Sequence, residues 1–532
     1  EIGLVDAAVE ALHETFDFEN GGFGERPKFP PYSAMRFLLE YLQVRPTLPG
    51  EPEDKRRYCE EAETMVRSTL ENMMAGGIHD WVGGGVHRYA TDERWFLPHF
   101  EKVTADNAQL VFVLTQAKVA GVVNLEEGCR NAVEWLISDM QNPDGSFATA
   151  VDADAEGEEG TFTTWPYDEL VGLVGEENAH KLGAETAGNS TDEATGAPTG
   201  RNLLLPPGDG ELAEARETLR VVRAQRTAPA TDTKAIAAVN GLVISCLARA
   251  GVLAAATVCA DLWIGLADGD LPHMIQDGVP IGQAFLDDVV FLADGLLDLA
   301  EATGEFRFEA AALRLIDVQL PLFADPAAPG FFYSKPDPSF IYRRTKPILD
   351  SAMPGSNAVL IRVLRRLGRW QEAGAILAGF LGWGERIPTA TETLLGEAMQ
   401  FLSEGATVAA TGETPQLRLQ LDPNPATRDE DGWAYVELVV DIPQGCHINS
   451  ESPAADWLIP TQLEAEGVYA EAAFPEGDQD QYEGQLVLPV RLQPKSGTTA
   501  TYELRLTYQL CTESACFAPE IAKIEGHISD GG

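Results

Sequence analysis

The spacing of apolar residues changes once along this chain, and that change sets what it can fold into. Up to about Leu402 they recur at three and four, as in Leu110, Val113, Leu114 and Ala117, the period of an amphipathic helix. Beyond about Gly405 they alternate, as in Ala434-Tyr-Val-Glu-Leu-Val-Val440 and Thr501-Tyr-Glu-Leu-Arg-Leu-Thr-Tyr508, with Pro, Gly and Asp between the runs. Period two means strands, and short punctuated strands mean an antiparallel sandwich. At 532 residues the chain exceeds one compact core, so the switch reads as a domain boundary near 406–416.

The helical pattern predicts helices over Val5–Phe16, Ser33–Tyr41, Lys55–Met74, Asp106–Val119, Leu125–Met140 and Asp232–Ala250. Further helices are expected over Asp287–Ala302, Arg307–Leu322, Asn357–Leu367, Trp370–Leu381 and Ala390–Leu402. The stretch from Ala235 to Ala267 is the most apolar, but Asn240, Arg249 and Asp261 interrupt it. It reads as inner helices of a large domain rather than a membrane span, and Ala250–Leu266, apolar nearly all round, is expected to be enclosed by others. The intervening loops resemble one another: Asn20-Gly-Gly-Phe-Gly24, Ala75-Gly-Gly-Ile-His79, Asn142-Pro-Asp-Gly-Ser-Phe147 and Pro329-Gly-Phe-Phe-Tyr333. Such a degenerate repeat, one helical hairpin long, predicts paired helices stacked around an axis as an inner and an outer ring.

Charge narrows the partners. Asp and Glu number 83 against 38 Lys and Arg, a formal net charge of -45. That field repels nucleic acid and anionic membranes, so neither nucleic-acid binding nor membrane insertion is expected. The chain begins at Glu1 with no cationic segment followed by an apolar one, so no leader is expected within it. Of seven cysteines, Cys59, Cys129, Cys246 and Cys259 fall in helical patterns and read as small buried apolar residues. Cys446 stands alone among the strands, and only Cys511 and Cys516 are close neighbours. Lys28 and Arg26, beside Pro27 and Pro30, read as a solvated turn, and Pro354-Gly-Ser-Asn357 as a helix start capped by Ser356 or Asn357.

Several long motifs carry a family resemblance. They are Gly21-Gly-Phe-Gly-Glu-Arg-Pro-Lys-Phe-Pro30, Gly76-Gly-Ile-His-Asp-Trp-Val-Gly-Gly-Gly-Val-His-Arg-Tyr89 with Trp95, and Pro98-His-Phe-Glu-Lys102. Asp106-Asn-Ala-Gln-Leu110, Asp152-Ala-Asp-Ala-Glu-Gly-Glu-Glu-Gly160, Phe285-Leu-Asp-Asp288 and Pro354-Gly-Ser-Asn357 complete the set. Together they resemble the thioredoxin-domain-containing family that includes the spermatogenesis-associated proteins. The resemblance covers most of residues 1–405 and implies a mostly α fold there, an (α/α) six-hairpin toroid like those of six-hairpin glycosidases and N-acylglucosamine 2-epimerases. The family's thioredoxin-like domain has no counterpart in this chain. Thr104-Ala105 and Val239 stand where the family has bulky residues, which puts substrate contacts made by those rings in doubt. Residues 416–528 resemble a second family through Gly445-Cys-His-Ile-Asn449, Leu458-Ile-Pro-Thr461, Leu506-Thr-Tyr-Gln-Leu-Cys511 and Cys516-Phe-Ala-Pro519. These look like the N-terminal domain of DsbD, which implies an immunoglobulin-like β-sandwich that passes reducing equivalents through a cysteine pair. The implied partner is a thioredoxin-like protein or domain, and an extracytoplasmic, periplasmic compartment is favoured over the cytoplasm.

In a toroid the loops at one end line a central cavity. There Glu101, Asp152 and Asp287 are the candidate catalytic acids, with His79, His87, Arg88, Tyr89, Trp95, His99, Lys102, Asp106, Asp154, Asp288 and Asp350 as candidate substrate contacts. Paired carboxylates with aromatic platforms suit sugar hydrolysis, and a His beside a carboxylate suits the proton transfer of an epimerase. The same groups could instead bond one another and fix the loops. The first reading is a redox-associated protein with a sugar-hydrolase-like cavity; the alternatives are a carbohydrate-active enzyme whose sandwich is accessory and whose Cys511–Cys516 pair is a structural staple, and a non-enzymatic binding scaffold. No cofactor or metal is expected: Asp152-x-Asp154-x-Glu156 lacks the Gly and Glu spacing of a calcium loop. Cys511 and Cys516 are expected at the ends of a hairpin turn, with 517–524 returning as partner strand and the pair serving as the redox centre.

An acidic, Lys-poor surface of ten Lys against 28 Arg suits a protein kept soluble at high salt. The Debye length falls from about 10 Å at 0.1 M to about 3 Å at 1 M, so screening relieves like-charge repulsion. The melting temperature is expected to rise from low to molar KCl; a flat or falling melting curve overturns the salt adaptation.

Overall fold

A computed structural model describes residues 2–529 apart from 193–194, 209–210, 268, 327, 337–343, 412–416, 430, 444–445, 452–459, 476–480, 496–499, 509 and 513–519. Contacts divide the chain into two units that meet at Gly405, with Gly368–Gln371 grouped with the second.

Helices of the first unit alternate between an outer and an inner ring. The outer ones are α1 (Ile2–Thr15), α3 (Pro52–Ala75), α5 (Glu126–Asp139), α10 (Leu253–Leu266), α12 (Phe306–Gln319) and α14 (Trp370–Arg386). Their inner partners are α2 (Tyr32–Val44), α4 (Thr104–Val119), α9 (Ala237–Arg249), α11 (Leu286–Thr303), α13 (Ser356–Arg366) and α15 (Glu392–Thr411). The short helices α6 (Tyr167–Val174), α7 (Glu176–Lys181) and α8 (Ala213–Arg223) belong to an insertion between α5 and α9. The inner helices run parallel. Ala238 near the start of α9 donates to Asp288 near the start of α11, and Arg249 at the end of α9 meets Asp298 lower on α11. The ring closes where α15 reaches α2, since a Cβ on Gly396 would lie 2.8 Å from the Glu40 carboxylate. The expected toroid therefore forms.

Two features of it were not foreseen. Ala250–Leu266 is not enclosed: α10 is an outer helix that buries only Ala256, Cys259, Ala260 and Trp263 and leaves Val258 exposed. The enclosed helix is α9, whose Gly241 lets the backbone of α11 approach; a Cβ there would meet the Phe291 carbonyl at 2.4 Å. The insertion has its own core of Trp81, Val82, Trp165, Leu170, Leu182 and Leu219.

The repeated loops have a common structure. After each of four outer helices the chain makes a tight turn and bridges back, through Phe16 with Phe23, His79 with Val86, Gln141 with Phe147, and Ala324 with Phe331. At three of them an Asn of the next inner helix holds the bridging residue by both backbone groups. Asn107 takes Val86 N–H at 2.7 Å and donates to its C=O at 3.0 Å. Asn240 does the same to Phe147 at 2.8 and 3.1 Å, and Asn357 to Phe331 at 2.7 and 3.0 Å. Asn357 is thus a loop clamp rather than the expected helix cap. Lys28 is likewise not in a solvated turn: it is buried, 2.6 Å from Asp17, and donates to the carbonyls of Gly21 and Glu93.

The second unit is a sandwich with its own core. One sheet has the order 418–422, 434–441, 485–494, 468–472; the other has 426–427, 520–529, 500–508, 462–466. Burial alternates along Ala434–Asp441 and Gln485–Pro494 as the period-two pattern requires. The pairing is antiparallel except for 426–427, which runs parallel to the last strand. That last strand returns beside 500–508, ending at Tyr508 opposite Glu520. Cys511, however, does not sit on that hairpin: its strand, Leu510–Thr512, leaves to pair with Cys446–Asn449, placing Cys511 opposite His447. Cys516, Gly445 and Leu458-Ile-Pro460 are wholly or partly outside the described residues, as is the spacing of the cysteine pair.

The clamp makes a test. Asn240 is fully buried, and Asn240→Ala leaves two Phe147 backbone groups without partners. Each such group costs about 1–3 kcal/mol, so a loss of about 2–4 kcal/mol in urea unfolding is expected, against little change for the exposed control Asn124→Ala.

Candidate functional site

Because the inner helices are parallel, their N-termini meet at one end, the mouth of the toroid. Below it the axis is filled. A cavity of about 20 Å³ lies between Tyr32, Gln109 and Pro354 above and Asp294 below, walled by Phe112 and Phe291. That is room for a water molecule and not for a sugar ring. Deeper still, Asp294 meets Arg362 at 3.3 Å and Arg366 at 2.9 Å, and Glu397 meets Arg362 at 2.7 Å and Arg365 at 3.1 Å. Any ligand on the axis is held at the mouth.

Three groups of side chains stand there. In the first, Asp106 lies in the first turn of α4, where burial pushes its carboxyl up to about 7, the nearby Arg88 opposing and Glu101 adding to the shift. Arg88 donates to Glu101 at 2.8 Å, His99 lies 2.9 Å from Glu159, and Tyr89 stacks on His99 with ring centroids 4.9 Å apart. Tyr32, at the start of α2, is buried with its hydroxyl unpartnered, and its pKa is raised by burial and by the charge of Asp106. In the second, Asp287 is half-buried beside Ser356, and burial raises it to about 6. Asp288 is a structural hub, accepting from the backbone of Ala238 and Phe285 and standing 2.8 Å from His273 Nδ1, which raises the His273 pKa. Phe285 and Tyr333 stack beside it at 4.9 Å. In the third, Asp350 accepts from the amides of Gly355 and Thr393 at 2.8 Å and lies against Glu392. Burial, then the charge of Asp350, raises Glu392, and burial raises Asp350 against the pull of the Thr393 and Gly355 amides.

The remaining candidates lie elsewhere. Trp95 is fully buried, donates to Asn20 O at 3.0 Å and fills the space that a Cβ on Gly22 would need. His79 is buried with Nδ1 on the Met74 carbonyl, and burial lowers its pKa to about 4. Asp152 and Asp154 are exposed, and Asp152 lines a groove beside α5 that also receives His87 and Lys102. Lys102 bonds Asp80 at 2.5 Å and the Gly84 carbonyl at 2.8 Å. Of the three proposed acids, then, Glu101 and Asp287 belong to inner-helix starts at the mouth, whereas Asp152 borders the groove. Tyr32, His273 and Glu392 went unmarked in the sequence; a polar residue in the first turn of an inner helix is the signal that would have found Tyr32 and Glu392, whereas His273 lies in the strand Pro272–Gln276, which no such signal marks. Among the described residues no three His, Cys, Asp or Glu side chains gather to hold a metal, and no helix is long and apolar enough to cross a membrane. Cys246 and Cys259 are buried and Cys59 and Cys129 half-buried, and burial raises all four thiols, which disfavours the reactive thiolate.

Comparison with known proteins bears on both units. Residues 418–526 match the family described as thiol:disulfide interchange protein DsbD, N-terminal. Mouse spermatogenesis-associated protein 20 is 32% identical over 417 residues, covering 67% of this chain and 52% of the mouse protein; the human protein is 31% identical with the same coverage. The chain thus spans about half the length of these relatives. Among solved structures, a GH76 α-mannanase from Bacteroides thetaiotaomicron gives a TM-score of 0.45 at 8% identity, covering 77% of this chain and 97% of the other. Cellobiose 2-epimerase from Spirochaeta thermophila gives 0.31 at 14% identity, covering 68% and 93%. The chain joins a helical toroid related to spermatogenesis-associated protein 20 to a C-terminal domain of the DsbD N-terminal family.

Proposed function

We propose that this is a redox-associated protein whose toroid mouth binds a sugar-like, polyhydroxylated ligand and whose C-terminal domain exchanges thiols with a thioredoxin-like partner. The observation that carries the first half is Asp106, a carboxyl near half-protonation at neutral pH beside the Arg88–Glu101 pair. A group poised at the working pH gives and takes protons best, and Asp287, raised to about 6, is a second of the same kind. The stacked pairs Tyr89–His99 and Phe285–Tyr333 offer aromatic faces against which a sugar ring can lie. The second half rests on the family match, which extends over Cys511 and Cys516. In the exchange, a thiolate of the reduced partner attacks the other's disulfide and its second thiolate releases the mixed disulfide. Two electrons pass, and the two thiols oxidised on one protein balance the disulfide reduced on the other.

Asp106 gives a pH signature. A carboxyl whose folded pKa is raised contributes stability that is full below about 4 and lost as pH rises through about 7. Asp106→Asn removes that dependence, so the variant is expected to gain on the wild type across this window, by on the order of 4 kcal/mol above pH 7. Parallel curves mean that Asp106 is not protonated at neutral pH. For the ligand, saturation-transfer NMR with mannose and cellobiose is expected to show contact with the wild type that weakens in Asp106→Asn; no contact removes the sugar reading.

The thiol half is tested by trapping. Cys516→Ser is expected to leave a mixed disulfide at Cys511 with a thioredoxin lacking its resolving cysteine. No adduct, with a reduction potential well below about -300 mV, marks the bond as structural.

A further inference from the structure

Between outer helix α5 and the inserted helix α8 lies a groove of about 990 Å³, the size of a small-molecule site and separate from the mouth. Two of its lining residues are held by the buried Asp80: Arg223 donates to both carboxylate oxygens, at 2.8 and 2.6 Å, and Lys102 donates at 2.5 Å. Two buried cations thus share one carboxylate. Burial lowers the Lys102 ammonium in spite of Asp80, as expected of a cation short of counter-charge. Arg216 and Arg220 sit seven and three residues before Arg223 on the same face of α8 and line the same groove. With Arg226 the lining holds five cations against Glu134, Asp139, Asp152, Glu217 and the bound Asp80, so this groove is locally neutral in a chain of net charge -45 and admits an anionic ligand where the rest of the surface repels one.

The wall supplies a second requirement. His87 Nδ1 stands 2.9 Å from the Phe100 carbonyl, which can only accept, so Nδ1 carries the proton and Nε2 presents a lone pair. That Nε2 is buried without a partner, and His87 lines the groove. Burial, then the charge of Lys102, lowers its pKa to about 3, so the ring stays neutral and an acceptor. An unmet buried acceptor calls for a donor from a ligand. Trp135 and Phe162 add flat apolar walls, while Glu134, Asp139, Asp152 and Glu217 also line the groove and disfavour ligands of high negative charge.

We propose that this groove binds a small hydroxylated monocarboxylate of the sugar-acid class, its carboxylate at Lys102 and Arg223, a hydroxyl donating to His87 Nε2 and its carbon chain against Trp135. The test is calorimetric titration of the full chain with D-gluconate, D-glucose and acetate. Saturable gluconate binding is expected, with glucose and acetate at least tenfold weaker because each lacks one of the two recognised groups. Lys102→Met leaves Asp80 its bidentate Arg223 and is expected to weaken gluconate at least tenfold. Arg220→Glu, an exposed change, is expected to weaken it severalfold and decides alone if Lys102→Met does not fold. The same titrations in the Asp106→Asn background, where sugar contact at the mouth is weakened, are expected to keep the preference for gluconate over glucose, so this site and the mouth fail independently. No saturable gluconate binding to the wild type, equal affinity for glucose, or unchanged affinity in Arg220→Glu overturns the proposal.

Discussion

The inner ring is organised around charges that it cannot release to water. Asp294 and Asp298 on α11 reach Arg366 on α13, Asp294 also reaches Arg362, and Glu397 on α15 takes Arg362 and Arg365. Arg249 from α9 closes on Asp298, and Arg36 from α2 lies over Phe112. All six inner helices therefore share polar partners or a ring contact on one axis. Removing a member strands a buried charge at about 3–5 kcal/mol, whereas the intact set fixes which helix neighbours which and in what register. Apolar packing alone tolerates sliding; a bidentate Arg on a carboxylate does not.

A filled axis moves the chemistry upward. Phe112, Phe291 and the ion network close the axis below Tyr32. What remains is a rim where helix starts bring acids into partial burial, so Asp106, Asp287 and the Asp350–Glu392 pair are all raised for the same reason. The electrostatics of the mouth follow from the parallel ring, and the groove beside α5 follows from the insertion; the two arise from different parts of the chain.

Much of this was legible beforehand. The change of period separated the helical part from the strands, and the Gly-aromatic loops announced a hairpin repeat because tight turns need glycine and buried turns need an apolar lid. The motif 98–102 pointed to a polar centre, and Arg88, Tyr89, His99 and Glu101 do gather. The pattern failed where it measures composition instead of position. α10 is more apolar than α9 yet lies outside, since small residues such as Gly241, not hydrophobicity, decide which helix enters a crowded ring. Cys511 looked like a hairpin end because 500–508 and 520–529 do pair, but alternation is blind to a strand that changes sheets.

By itself, the sequence determined the classes of local structure, the acidic surface and the chemistry available, since these depend on residue type and short-range spacing. Only the tertiary structure decided that Asp80, Lys102 and Arg223, far apart along the chain, share one buried site, and that Asp152 stands away from the mouth. It alone decided that three asparagines hold three loops in the same way. Burial and charge pairing are properties of what comes together in space, and no period along a chain records them.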